Sequence, residues 1–325
     1  MEKGKSINSL MKHIRTEHKI DISGSNDKKH LLNMGYYHGY KATRFIKQTD
    51  NKQDFETFKE VKAMYEFDNA MKSLFYPLLT SIETILKNRL IDFLVSNDNP
   101  SLEHIYQHKL TSYKDYTKSS DIQKYHNKRL QLRTKMDETI AYNYKNKNVI
   151  INHYFHKEKP LPLWAYFEVI SLGEFGNFIS CIRRDVRKEF TSTINLHHSG
   201  FNEDGRILES LIFLISDLRN AVMHNSIIFD CRFKKSMPSK QVKEYFQNVL
   251  GINRIEFETI TEYLILAIVL LKKLSIPKKD LRRTVKEFEN LTENLYKNIP
   301  TPAFFQIVDT QNKNIIKSLN QYIDK

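Results

Sequence analysis

The chain has 325 residues, 40% hydrophobic and 12% aromatic, enough to bury one large core or two modest ones without metals or disulfides as staples. Two cysteines, Cys181 and Cys231, exclude a disulfide framework and a thiolate zinc site; they suit small buried side chains in a reducing cytoplasm. A formal charge of +13 predicts attraction to polyanions, with RNA, DNA and acidic membrane surfaces all eligible.

The N-terminal stretch MEKGKSINSLMKHIRTEHK is charged throughout and has no apolar signal region, and no run of about 18 apolar residues follows. Neither export nor membrane insertion is expected. A helical arm runs to about residue 54, and a long helix from about Phe55 to Val95 follows, which Pro77 kinks or divides. Its period is read from Phe58, Val61 and Tyr65, then Leu74, Leu78, Ile82, Ile85 and Leu86. SNDNPS, from Ser96 to Ser101, is a stop and turn.

The stretch His108 to Asn148 holds ten Lys/Arg against four Asp/Glu and five tyrosines, and reads as a basic helical insertion within about 97–160. KEKPLPLW connects it to an apolar helix, AYFEVISLGEFGNFIS. CIRRDVRKEF begins a basic ridge on which Arg183 and Arg187, and Arg184 and Lys188, are four apart. After the loop NLHHSGFNEDGR comes another apolar helix, and SMPSK closes that region. Helices at roughly 240–275 and 278–296 and a segment from Pro302 complete an all-α chain, with its core over 55–275 and a C-terminal helical segment over 276–325. Ile255, Tyr263, Leu266, Leu270 and Leu274 carry the period there.

Chemistry concentrates in DLRNAVMHNSIIF, Asp217 to Phe229. On a helix Asn220 and His224 share a face, and Arg219 sits about 100° round from Asn220. Such groups cost roughly 1 to 3 kcal/mol each when buried without partners, so they should line a cleft, pair with another segment or meet another subunit. A histidine can move a proton to or from a ribose 2′-hydroxyl or a leaving 5′-oxygen, and a guanidinium can hold the phosphate as charge builds on it. That chemistry cleaves RNA without a metal, and DNA lacks the hydroxyl it needs. The spacing alone is weak, and it equally admits a polar corner that caps or pairs inside the bundle.

The wider pattern LRNAVMHN resembles the R-x4-H motif of HEPN-domain ribonucleases. More specifically, the chain resembles the Abi family of phage-resistance proteins, of the AbiD and AbiF type. YYHGYKATRF at Tyr36 to Phe45, the long segment Phe58 to Leu94, and LPLWAYFEVISLGEFGNFIS at Leu161 to Ser180 are similar, in order, to that family's tyrosine-rich segment, signature helix pair and tryptophan segment. The resemblance covers about Tyr36 to Phe229. It implies a HEPN-like helical bundle in which Arg219, Asn220 and His224 are catalytic, with no cofactor and no required metal. It also implies a homodimer that supplies the second half of a composite site, and an abortive-infection or toxin-type endoribonuclease in the cytoplasm. RNA is the expected partner, as substrate and as a regulatory RNA, with no DNA and no membrane. Where family members often follow the histidine with a basic residue, this chain has Asn225, Ser226, Ile227 and Ile228.

Candidate RNA-binding residues are Arg183, Arg184, Arg187 and Lys188 on the ridge and Lys128, Arg129 and Arg133 in the insertion, where Tyr113, Tyr116, Tyr125, Tyr142 and Tyr144 offer rings for stacking. Glu83 reads as a solvated partner of Lys87, and Arg89 as paired with a carboxylate or a phosphate. His153, His156, His197 and His198 lack convincing ligand spacing, and no metal is expected there. A non-catalytic RNA-binding protein, such as the protein part of a regulatory or defence ribonucleoprotein, is the alternative of another class.

Overall fold

A computed structural model describes residues 5–325, so the first four residues of the expected arm lie outside the described residues. The described residues form α-helices joined by turns, with β-structure confined to isolated bridges. In chain order the helices are α1 (Ile7–His18), α2 (Gly24–Met34), a π-helical segment (Gly35–Lys41), α3 (Phe58–Val95), α4 (Leu102–His108), α5 (Ser119–Lys145), α6 (Val149–His156), α7 (Leu163–Val169) and α8 (Leu172–Cys181). There follow α9 (Arg184–Thr193), α10 (Ile207–Met223), α11 (Lys240–Leu250), α12 (Ile260–Lys273), α13 (Lys278–Tyr296), α14 (Thr301–Ile307) and α15 (Asn312–Asp324).

The spine is α3, whose 38 residues span roughly 57 Å at 1.5 Å per residue. Glu60 starts it by accepting the Thr57 N–H at 2.7 Å, and Asn97, in a left-handed conformation at φ 63°, follows its end. Pro77 neither ends nor divides it. Proline removes one hydrogen bond, but Phe75, Leu79 and Ile82 on either side are fully buried, each such side chain contributing roughly 1.5 to 3 kcal/mol.

Helices α7, α10, α12 and α13 pack on α3, and α8 lies against α10. Every residue of α12 from Ile260 to Leu271 is buried, as a helix apolar all round must be. Two helices expected to be continuous are broken. The tryptophan segment splits into α7 and α8 at Ser171, whose hydroxyl accepts the Glu174 N–H while Glu174 accepts the Ser171 N–H. The 240–275 stretch splits into α11 and α12 because Gly251 ends α11 at φ 66° and Glu262 caps α12 through the Thr259 N–H at 2.9 Å.

One apolar cluster runs from Met11 to Ile323, so the arm and the C-terminal helices share the core. Cys181 and Cys231 lie in it, and burial pushes both thiols up. Among the described residues no helix is long and apolar enough to cross a membrane.

Candidate functional site

Helix α10 buries Leu208, Leu211, Ile212, Leu214, Ile215, Leu218, Ala221 and Val222 and brings the polar trio to its C-terminal end. That placement spares the trio the cost of unpartnered burial: Asn220 and His224 are exposed and Arg219 is half-buried. His224 is the cap residue, its N–H bonding the Asn220 carbonyl at 3.0 Å. Asn225 then takes the left-handed conformation at φ 54°, and the Ser226 N–H returns to the Ala221 carbonyl at 2.8 Å. Asparagine tolerates that conformation better than most residues, which gives a local reason for Asn225 beside the histidine.

Two networks from α3 hold this helix end. Deep in the core, Asp68 Oδ1 accepts the N–H groups of Ile228 and Phe229 at 2.7 and 3.0 Å, and its Oδ2 lies 2.6 Å from Lys72 Nζ. Lys72 in turn donates to Asn225 Oδ1 at 2.7 Å, so the turn after His224 is tied to a buried carboxylate. Further along α3, Glu83 Oε1 accepts from Lys87 at 2.9 Å while its Oε2 lies 3.3 Å from Arg219 Nε. The guanidinium is therefore pinned by charge, and its Nη1 reaches Asn220 Oδ1 at 3.3 Å. Glu83 is a mostly buried bridge between two cations and not a solvated ion pair. A groove of about 270 Å³ opens beside Arg219, lined by Glu83, Lys87, Asn88, Phe167 and Glu168.

The sequence profile of the Abi-like protein family matches residues 29–230, more than half of the chain. The chain belongs to that family. No curated protein and no solved structure matches it. The matched stretch of this Abi-like chain starts in α2 and ends just after the segment that Asp68 holds.

The cations expected on α9 and α5 are mostly committed to partners of their own. On α9, Arg187 is only 4% exposed and donates to the carbonyls of Asp204 and Ile182, so it does not share a solvent face with Arg183. Arg183 clasps Asp185 and the His108 carbonyl, which leaves Arg184 and Lys188 as the exposed cations of that helix. In α5, Lys128 pairs with Glu209, Arg129 donates to the Thr111 and Tyr106 carbonyls over the Tyr106 ring, and Arg133 pairs with Glu103 and Asp137. Tyr116 and Tyr125 stack on each other at 4.3 Å, and Arg206 donates to Tyr125. Arg89 donates to the Leu274 carbonyl at the end of α12, and among the described residues no carboxylate pairs with it.

Asp68 and Lys72 escaped the sequence reading, although an Asp and a Lys four apart within an apolar helix signal a paired buried charge. Among the described residues no three His, Cys, Asp or Glu side chains gather as metal ligands would.

Proposed function

We propose that this Abi-like chain is an endoribonuclease of the HEPN class acting in abortive infection. The observation that supports it is the meeting of Arg219, Asn220 and His224 at one solvent-facing helix end whose outgoing turn is anchored by Asp68 and Lys72. His224 takes the proton of a ribose 2′-hydroxyl as its oxygen attacks the adjacent phosphorus. The bond to the 5′-oxygen breaks, and a second histidine, from another copy of the chain, protonates that oxygen. Arg219 stabilises the charge on the phosphate oxygens, and Asn220 orients it. The products are a 2′,3′-cyclic phosphate and a 5′-hydroxyl, and the scheme needs no metal. A two-fold dimer supplies the second motif. Such an enzyme is toxic unless restrained, and an RNA partner suits a chain of this charge.

One observation favours a second reading. Glu83 already offsets the charge of Arg219, which leaves less of it for a transition state and favours a corner that contributes no catalysis in a protein whose other cations bind RNA. Purified full-length chain and its His224→Ala variant, incubated with end-labelled RNA in EDTA, separate the two. Cleavage by the wild type, reduced about 10²- to 10⁴-fold in the variant with RNA binding intact, is expected. Equal cleavage by both proteins sinks the enzyme reading; RNA binding without cleavage by either supports the second.

A further inference from the structure

The N-terminal arm holds an arrangement that the α10 site does not use. Gly35–Lys41 is π-helical, a rare conformation that concentrates at functional sites. It packs rings in series: His13 lies 4.9 Å from His18, His18 stacks on Tyr40 at 5.6 Å, Tyr40 on Tyr36 at 5.5 Å, and Tyr36 meets Tyr37 edge-on at 5.4 Å. The Tyr40 hydroxyl fixes His18 through Nδ1 at 2.7 Å. At the outer end Tyr37 is 75% exposed, with Lys41 Nζ 4.9 Å from its ring centroid.

Charge is one-sided around these rings. Burial first, and then the charges of Arg44, His13, Lys41 and Lys52, hold the His18 imidazole down to about 4. The ion pairs of this region, Lys47 with Glu258 and Arg232 with Asp230, leave Lys41, Arg44 and Lys52 out. Among the described residues the buried Arg44 Nε has no acceptor, although its guanidinium acts on the Tyr40 hydroxyl. Like charges gathered around one series of rings, with a guanidinium N–H among them buried and without an acceptor, are unfavourable unless an anion joins them. A tetrahedral oxyanion suits a guanidinium flanked by lysines, and an exposed ring beside the cations suits a base.

We propose that Lys41, Arg44, Lys52 and His13 form a phosphate site for a nucleotide whose base stacks on Tyr37, separate from the α10 motif. The nucleotide is free or is the end of an RNA strand; both present the same phosphate and ring. This assignment is independent of whether α10 is catalytic.

The test uses full-length protein and a 5′-phosphorylated tetrauridine with 2′-O-methyl riboses, which 2′-hydroxyl attack cannot cleave, labelled at its 3′ end and followed by anisotropy. Lys41→Ala/Lys52→Ala and Tyr37→Ala, all at exposed positions, should each weaken binding at least tenfold, while Arg184→Ala/Lys188→Ala changes it less than twofold. Uridine 5′-monophosphate competing as well as the unlabelled strand identifies a free nucleotide; much stronger competition by the strand identifies an RNA end. Inorganic phosphate should move the His18 ring titration, read by NMR, upward from about 4. Absence of binding by either probe, or affinity unchanged in the arm variants, overturns the proposal.

Discussion

At Lys72 the roles of stability and positioning meet. Its ammonium sits between the fully buried Asp68 and the side chain of Asn225, one residue beyond His224. Removing one member of a buried pair leaves the other uncompensated, so Lys72→Met should cost about 3 to 5 kcal/mol in urea unfolding. Asp68 also accepts two backbone N–H groups, which points to the lower end of that range. A midpoint within error of the wild type would show that the pair does not hold the turn. His18 carries a pH signature of its own. Its folded pKa of about 4 lies below the ordinary 6.5, so between those values the unfolded chain binds a proton that the folded chain does not. Stability should therefore fall as pH drops from 6.5 towards 4, and His18→Gln should flatten that slope in denaturant titrations. An equal slope in both proteins would place the titrating group elsewhere.

The elements depend on close backbone approaches that two glycines allow. In the π-helical segment a Cβ on Gly39 would lie under 3.0 Å from the backbone of Met34, where nothing flexible can give way. Gly39→Ala should cost about 3 kcal/mol and disrupt the ring series behind Tyr36, with a matching drop in thermal midpoint and a changed near-ultraviolet spectrum. Gly176 of α8 faces Phe213 and Ile212 of α10, and a Cβ there would stand 3.0 to 3.2 Å from their side chains. Gly176→Val should push α8 off α10 at about 1 to 3 kcal/mol. Wild-type melting temperatures for these variants would show that the approaches are looser than described. The helix breaks follow the same local logic. Ser171 with Glu174, and Gly251 followed by Thr259 with Glu262, are capping signals that break stretches whose apolar period alone predicts one continuous helix.

The whole molecule joins parts far apart in sequence. Arg232, just beyond the α10 turn, donates to the carbonyls of Ala42 and Phe45 in the arm, and Asp230 accepts the Lys47 N–H. The arm and the motif's outgoing strand of chain are thus one packed unit. If the α10 corner is half of a composite site, specific cleavage activity should fall on dilution as dimers dissociate, and sedimentation should show a dimer at concentrations where activity is full. Full specific activity from a monomer would remove the composite site from the reading.

The helical class, the apolar faces and the polar trio at the end of α10 were legible in the sequence alone, whereas the continuity of α3 through Pro77 was not, because periodicity, low glycine and proline content and motif spacing are local properties and the packing that holds α3 together is not. The order of matching segments also pointed to the Abi-like family, which the profile over residues 29–230 shows. Only the tertiary structure decided which charges are free. Arg187, Arg129 and Lys128 look like surface cations in sequence, yet they satisfy carbonyls of connecting segments or a carboxylate of α10 that packing brings to them. Glu83 reaches Arg219 across 136 positions for the same reason. A side chain's partners depend on which helices pack together, and burial makes an unpaired charge so costly that the fold settles its role.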